Sequence, residues 1–152
     1  DIEFLIAGDG SQSDFIKNLV NQSGLKEKVL FLGLLNKKEM LDFYKSIDIY
    51  ISTSLSDGGL SSSIAEAMSF QRLVIVTSNS DNKLWIEEGK NGYLFKNGDS
   101  KKLSLILKKV LDNKDKNILI SKSARNIIKE KFSYEKEMFK VDKIYKKLFL
   151  KN

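Results

Sequence analysis

Apolar residues in this chain fall into short continuous runs, separated by stretches with helical spacing. Glu3-Phe4-Leu5-Ile6-Ala7, Val29-Leu30-Phe31-Leu32-Gly33, Asp48-Ile49-Tyr50-Ile51-Ser52, Leu73-Val74-Ile75-Val76-Thr77 and Tyr93-Leu94-Phe95 have the length and β-branched or aromatic character of buried strands. Between the first three runs, Phe15, Ile16, Leu19 and Val20, and then Met40, Leu41, Tyr44 and Ile47, recur at helical intervals. Gly24 fits the stop of the first of these helices. Asn36 followed by Glu39 has the spacing of a capping box at the start of the second. Leu84-Trp85-Ile86 reads as a short helical turn, and Gly89-Lys90-Asn91-Gly92 as a turn by composition. From Asp99 on, the pattern is helical only. One helix runs from Asp99 or Ser100 to about Leu111, with Leu103, Ile106, Leu107 and Val110 on one side. A second covers roughly Lys116 to Lys131, and a third starts near Ser133 with Met138, Val141, Ile144, Tyr145 and Leu148 in register. Strands alternating with helices predict an α/β fold, a parallel sheet covered on both faces and followed by C-terminal helices. No linker, repeat or domain boundary appears, so residues 1–152 are expected to form a single domain.

The pattern is broken most sharply after the third run. Ser52-Thr53-Ser54-Leu55-Ser56-Asp57-Gly58-Gly59-Leu60-Ser61-Ser62-Ser63 is too small and polar to build a core, and Ile64-Ala65-Glu66-Ala67-Met68 then reads as the first turns of a helix. The first amides of a helix have no intrahelical partner and sit at the positive end of its dipole, so the natural guest of such a junction is an anion, usually phosphate. Glu66, about a turn inside the helix, is placed to accept from hydroxyls of the same ligand, such as those of a ribose. A nucleotide has both groups. The alternative assigns the serines and Asp57 to helix capping and Glu66 to the dipole alone. A second glycine turn, Gly8-Asp9-Gly10, follows the first strand, but it lacks the third glycine of the dinucleotide fingerprint. In a doubly wound sheet ligands sit beyond the carboxyl ends of the strands. The loops there are Gly8-Asp9-Gly10, Leu34-Leu35-Asn36, Ser54 to Ser62 and Thr77 to Asp81, which favours a nucleotide over capping alone.

Composition removes several chemistries. The chain has neither cysteine nor histidine, so disulfides, thiol nucleophiles, imidazole acid–base steps and the commonest metal ligand are absent; it offers no metal-ligand cluster, and no cofactor is expected. With 41% hydrophobic and 30% charged residues it is ordinary for a globular protein, and no apolar run is long enough to span a bilayer. The net charge of +6 comes mostly from lysines on predicted helix faces near the C-terminus and reads as a solvated surface. It suits a peripheral position beside anionic lipid. No nucleic-acid motif accompanies it, and no nucleic-acid partner is expected. The chain opens on a strand, without Met or signal-peptide pattern, as a piece of a longer protein would.

Several landmarks occur together and in order: the strand ending in Gly8-Asp9-Gly10, Val29 to Gly33, Tyr44 to Ser54, Glu66-Ala67-Met68, and Gly89-Lys90-Asn91-Gly92-Tyr93-Leu94-Phe95. In these the chain resembles the C-terminal, donor-binding half of family 4 (group 1) retaining glycosyltransferases, whose GT-B fold faces two Rossmann-like domains. The resemblance implies a nucleotide-sugar-binding domain, cytoplasmic or at the inner face of the membrane, from a two-domain enzyme that transfers a UDP- or GDP-linked sugar to a glycan or lipid in polysaccharide assembly. It implies that Glu66 binds the ribose hydroxyls, that the backbone around Gly58, Gly59, Leu60 and Ser61 faces the diphosphate or donor sugar, that Gly8 and Gly10 lie near the nucleotide, and that Leu34 and Leu35 approach the base. It also implies metal independence. The family commonly carries two glutamates eight positions apart, the first touching the transferred sugar; here that position is Gly58, and Asp57 takes the role if the loop holds one extra residue. The family's usual Gly and Pro after the Glu-Ala-Met helix are Gln71 and Leu73. The family's basic pair and its N-terminal acceptor domain lie outside this sequence, so the chain alone is expected to transfer no sugar. Two alternatives remain: a nucleotide-sugar epimerase of the same fold, which the missing histidine disfavours, and a non-catalytic nucleotide-binding module, which Gly58 keeps open.

Overall fold

A computed structural model describes residues 2–56, 59–79 and 81–149. The chain divides into two compact units, Asp1–Lys45 and Ser46–Asn152.

The first unit holds β1 (Phe4–Ala7), α1 (Ser13–Gln22), a 3₁₀ turn (Lys26–Lys28), β2 (Val29–Gly33) and most of α2 (Lys37–Ser46). β1 and β2 pair in parallel, Phe4 with Val29 through Ala7 with Gly33, with a register shift between Ile6 and Ala7. The local signals act as their chemistry requires. Gly24 takes a φ of 68°, and past the end of α1 its amide donates to the Asn21 carbonyl while that of Leu25 donates to Val20. Asn36 and Glu39 form a reciprocal capping box. The Asn36 Oδ1 accepts from the amides of Lys38 and Glu39, at 2.9 and 3.1 Å, and the Glu39 Oε2 accepts from the Asn36 amide at 2.7 Å.

The second unit continues with β3 (Ile49–Ser52), α3 (Ser62–Ser69), β4 (Leu73–Thr77), α4 (Asn82–Trp85), β5 (Tyr93–Phe95), α5 (Ser100–Leu111), α6 (Lys114–Lys131) and α7 (Tyr134–Phe149). Its sheet is parallel in the order β3-β4-β5. β4 is central and buried along its whole length, as its unbroken apolar run requires. Leu73, Ile75, Tyr93 and Phe95 of this sheet meet Ile106 and Val110 of α5 and Ile120 of α6 in one core cluster, with Leu103 and Leu107 partly buried against it. The helical spacing of α5 thus marks its inner face correctly, and Asp99 caps it by accepting from the Lys102 amide. The apolar stripe of α7 differs in its surroundings. No residue of that helix is buried, and Met138, Val141, Ile144, Tyr145 and Leu148 are all exposed.

Candidate functional site

The site is best followed from α3. Ile64, Ala67 and Met68 recur at three- and four-residue spacing and are fully buried, which fixes the rotation of the helix. Glu66 then falls on the opposite face and is exposed. Among the described residues its carboxylate has no hydrogen-bond or ion-pair partner.

The C-terminal end of α3 is closed by a Schellman pattern: the Arg72 amide donates to the Ala67 carbonyl and that of Gln71 to Met68. Gln71 takes the left-handed position at φ 58°, where glycine is the usual residue. The Arg72 guanidinium donates to the Phe70 and Ile47 carbonyls, tying the α3–β4 turn to the chain entering β3.

The N-terminal end is different. Ser61 occupies the cap position, but its side chain makes no capping bond; its hydroxyl pairs with that of Ser63 at 2.9 Å. Among the described residues no side chain takes the first amides of α3, in contrast to α2 and α5. The share of the capping alternative that rests on Asp57 lies outside the described residues. Just before the serine run, Gly59 has a φ of 119°, a conformation that L side chains rarely adopt, and a Cβ built there would meet nothing within 4 Å.

In the first unit the parallel register brings both loops to one edge of the sheet. Ala7 pairs with Gly33, and the Gly8 amide donates to the Gly33 carbonyl at 2.7 Å. The Gly8-Asp9-Gly10 turn and the Leu34-Leu35 segment thus leave the same carboxyl end. Gly8 has a φ of 131°, and space for a Cβ is open at both Gly8 and Gly10. Leu34 is exposed and Leu35 half-buried. Asp9 shapes the turn, accepting from the Gly10 amide at 2.8 Å and from the Ser13 hydroxyl at 2.6 Å. The Ser13 bond first, then the Gly10 bond, hold its carboxyl below the ordinary aspartate range.

Residues 1–131 match the family described as Glycosyl transferases group 1. The chain belongs to the group 1 glycosyl transferases. The UDP-Gal:alpha-D-GlcNAc-diphosphoundecaprenol alpha-1,3-galactosyltransferase of Escherichia coli is 30% identical over 146 residues, 95% of this chain and 37% of that protein. A glycosyltransferase from Rickettsia africae superposes with a TM-score of 0.87 at 25% identity, covering 100% of this chain and 41% of that one. Anabaena Alr3699/HepE in complex with UDP superposes with a TM-score of 0.85 at 22% identity, covering 96% and 41%. Parallel strands flanked by helices, as expected, place this group 1 chain among GT-B glycosyltransferase folds. It spans about two-fifths of the length of these relatives.

Of the positions that the family resemblance singles out, Gly59, Leu60, Ser61 and Glu66 lie on one loop–helix junction of the second unit. Gly8, Gly10 and Leu35 lie at one sheet edge of the first. Asp57 and Gly58 fall outside the described residues.

Sequence reasoning missed Thr77. It ends β4, is buried, and its hydroxyl donates to the Ser54 carbonyl. Its own carbonyl accepts from Asn82 Nδ2 at 3.0 Å. The only sequence sign of this was a hydroxyl closing an otherwise apolar strand.

Proposed function

We propose that this group 1 chain is the nucleotide-sugar-binding domain of a retaining glycosyltransferase. The diphosphate of the donor rests against the first amides of α3, between Gly58, Gly59, Leu60 and Ser61, and Glu66 accepts from the ribose hydroxyls. Gly8 and Gly10 approach the nucleotide, Leu35 the base, and Asp57 the transferred sugar. The observation that carries the reading is the start of α3 behind Gly59, where among the described residues no side chain takes the first amides, with an exposed carboxylate, unengaged among those residues, one turn along it. Fixed amide dipoles at that position stabilise negative charge as it develops on the departing diphosphate, without any imidazole. No residue of this chain is needed as a metal ligand.

A uridine nucleotide is the favoured donor. The name of the Escherichia coli relative specifies a UDP-sugar, and structures of the Anabaena protein hold UDP and UDP-glucose. The acceptor is a glycan or a lipid-linked sugar, in surface polysaccharide assembly, and the acceptor domain belongs to the remainder of the enzyme. The exposed stripe of α7 is suited to meeting that domain. Among the described residues no helix is long and apolar enough to cross a membrane. Work at the inner face of a membrane would rest on peripheral contact through surface lysines, with the enzyme in the cytoplasm.

Thermal unfolding with a panel of UDP, GDP and their hexose conjugates tests the reading. A ligand at about 100 times its Kd stabilises the folded form by about 2.7 kcal/mol. UDP and a UDP-hexose are expected to raise the midpoint of the wild type. Glu66→Ala, which among the described residues breaks no side-chain bond, is expected to abolish most of that rise while leaving the midpoint without ligand unchanged. An equal rise in wild type and variant would refute the ribose role.

A further inference from the structure

The loop after β3 contributes the glycines and serines of the proposed donor site, and its described residues next to β3 are largely exposed. Thr53 and Ser56 are exposed, and Leu55 is 72% exposed. Among the described residues its bonds near β3 are long: the Ser54 amide reaches the Ser52 hydroxyl only at 3.5 Å, and the Ser54 hydroxyl donates to the Ser56 carbonyl at 3.1 Å. What ties it to a rigid element is Thr77. The parallel register pairs Ser52 with Val76, so the chain leaving β3 passes beside the last residue of β4. There the buried Thr77 hydroxyl donates to the Ser54 carbonyl, 23 residues away in sequence. The other side of Thr77 is held too. Its carbonyl accepts from Asn82 Nδ2, the Asn82 amide donates to Asn79 Oδ1 at 2.7 Å, and the adjacent Ser78 amide donates to the Phe95 carbonyl. Thr77 thus joins the loops after β3 and β4 to the central strand of the sheet.

We propose that Thr77 is a positioning residue for donor binding: its hydroxyl anchors the chain leaving β3 at Ser54 from the end of β4, without touching the ligand. The assignment rests on the proposed donor site. A loop that must present backbone amides to a diphosphate loses affinity when its path is loose, because binding then has to order it. Removing the hydroxyl also leaves the Ser54 carbonyl without its partner.

The test uses isosteric variants of the full chain, titrated calorimetrically with UDP. Thr77→Val keeps the shape and removes the donor; Thr77→Ser keeps the donor and removes the methyl group. Thr77→Val is expected to weaken UDP binding about tenfold, the size of one lost hydrogen bond, and Thr77→Ser to bind within about twofold of wild type. Wild-type affinity in Thr77→Val overturns the proposal. So does an equal loss in Thr77→Ser, which would make the residue a packing element. Glu66→Ala is run in parallel. If the wild type does not bind UDP, the donor-site reading itself fails; if Glu66→Ala loses UDP while Thr77→Val does not, only the positioning role fails. If Thr77→Val does not fold, amide hydrogen exchange of wild-type residues 52–56 decides. Saturating UDP is expected to slow it several-fold, and unchanged exchange overturns the proposal.

Discussion

Gly92→Ala gives the sharpest stability prediction. By composition Gly92 belongs to a turn, where glycine is usually chosen for backbone freedom, but among glycines of positive φ it is absent. Its role is volume. A Cβ built on Gly92 would lie 2.8 Å from Val74 Cγ2 and 3.0 Å from both Ile86 Cγ2 and the Val74 carbonyl oxygen. None of the three can yield easily. Val74 is 0% exposed and Ile86 3% exposed, so neither methyl group has solvent to move into. The Val74 carbonyl belongs to β4, which is paired on both sides. Overpacking a core usually costs about 1–3 kcal/mol, and a contact that includes backbone belongs in the upper part of that range. For a chain of this size, about 2–3 kcal/mol lowers the melting midpoint by roughly 5–10 °C. Thermal unfolding followed by circular dichroism measures it. Val74→Ala removes the nearest methyl groups, so Gly92→Ala is expected to cost less in that background than in the wild type. Gly89→Ala is the contrast. Space there is open and φ is +74°, so its cost is conformational, about 1 kcal/mol, and does not respond to Val74→Ala. A Gly92→Ala midpoint within about a degree of wild type, or a cost unchanged by Val74→Ala, would refute the steric argument.

Two further predictions concern single residues. Gln71→Gly relieves a left-handed residue at the end of α3 at the expense of a long 3.5 Å contact from Arg125, and is expected to stabilise the fold by about 0.5–1 kcal/mol, read as a higher urea midpoint at unchanged slope. A lowered midpoint would show that the contact matters more than the backbone. The Asp9 carboxyl is held below its usual pKa of 3.8 when folded, so its contribution is fully present above that value and is lost as pH falls through the depressed folded value. Asp9→Asn is therefore expected to flatten the acid limb of the stability–pH curve. An unchanged limb would show that the Ser13 and Gly10 bonds contribute nothing.

Most of the fold was legible from the sequence because most of its signals are local. The capping box at Asn36 and Glu39, the stop at Gly24, the cap at Asp99 and the five apolar runs each act within a few residues, where spacing alone identifies partners. The inner face of α5 followed from its period. The candidate site was legible as a loop–helix junction and through its family landmarks, since small residues before an amphipathic start state their purpose locally. What only the tertiary structure decided depends on residues far apart in sequence. Which face of α3 is covered, and with it the exposure of Glu66 to solvent, is decided by the packing of Ile64, Ala67 and Met68 into the core. The Thr77 bond to Ser54 exists because parallel pairing lays one strand's exit beside another's end, and a side chain at Gly92 is costly because Val74 and Ile86 crowd it. A residue type records what a side chain is able to do; which neighbour it meets is decided by the packing of the folded sheet.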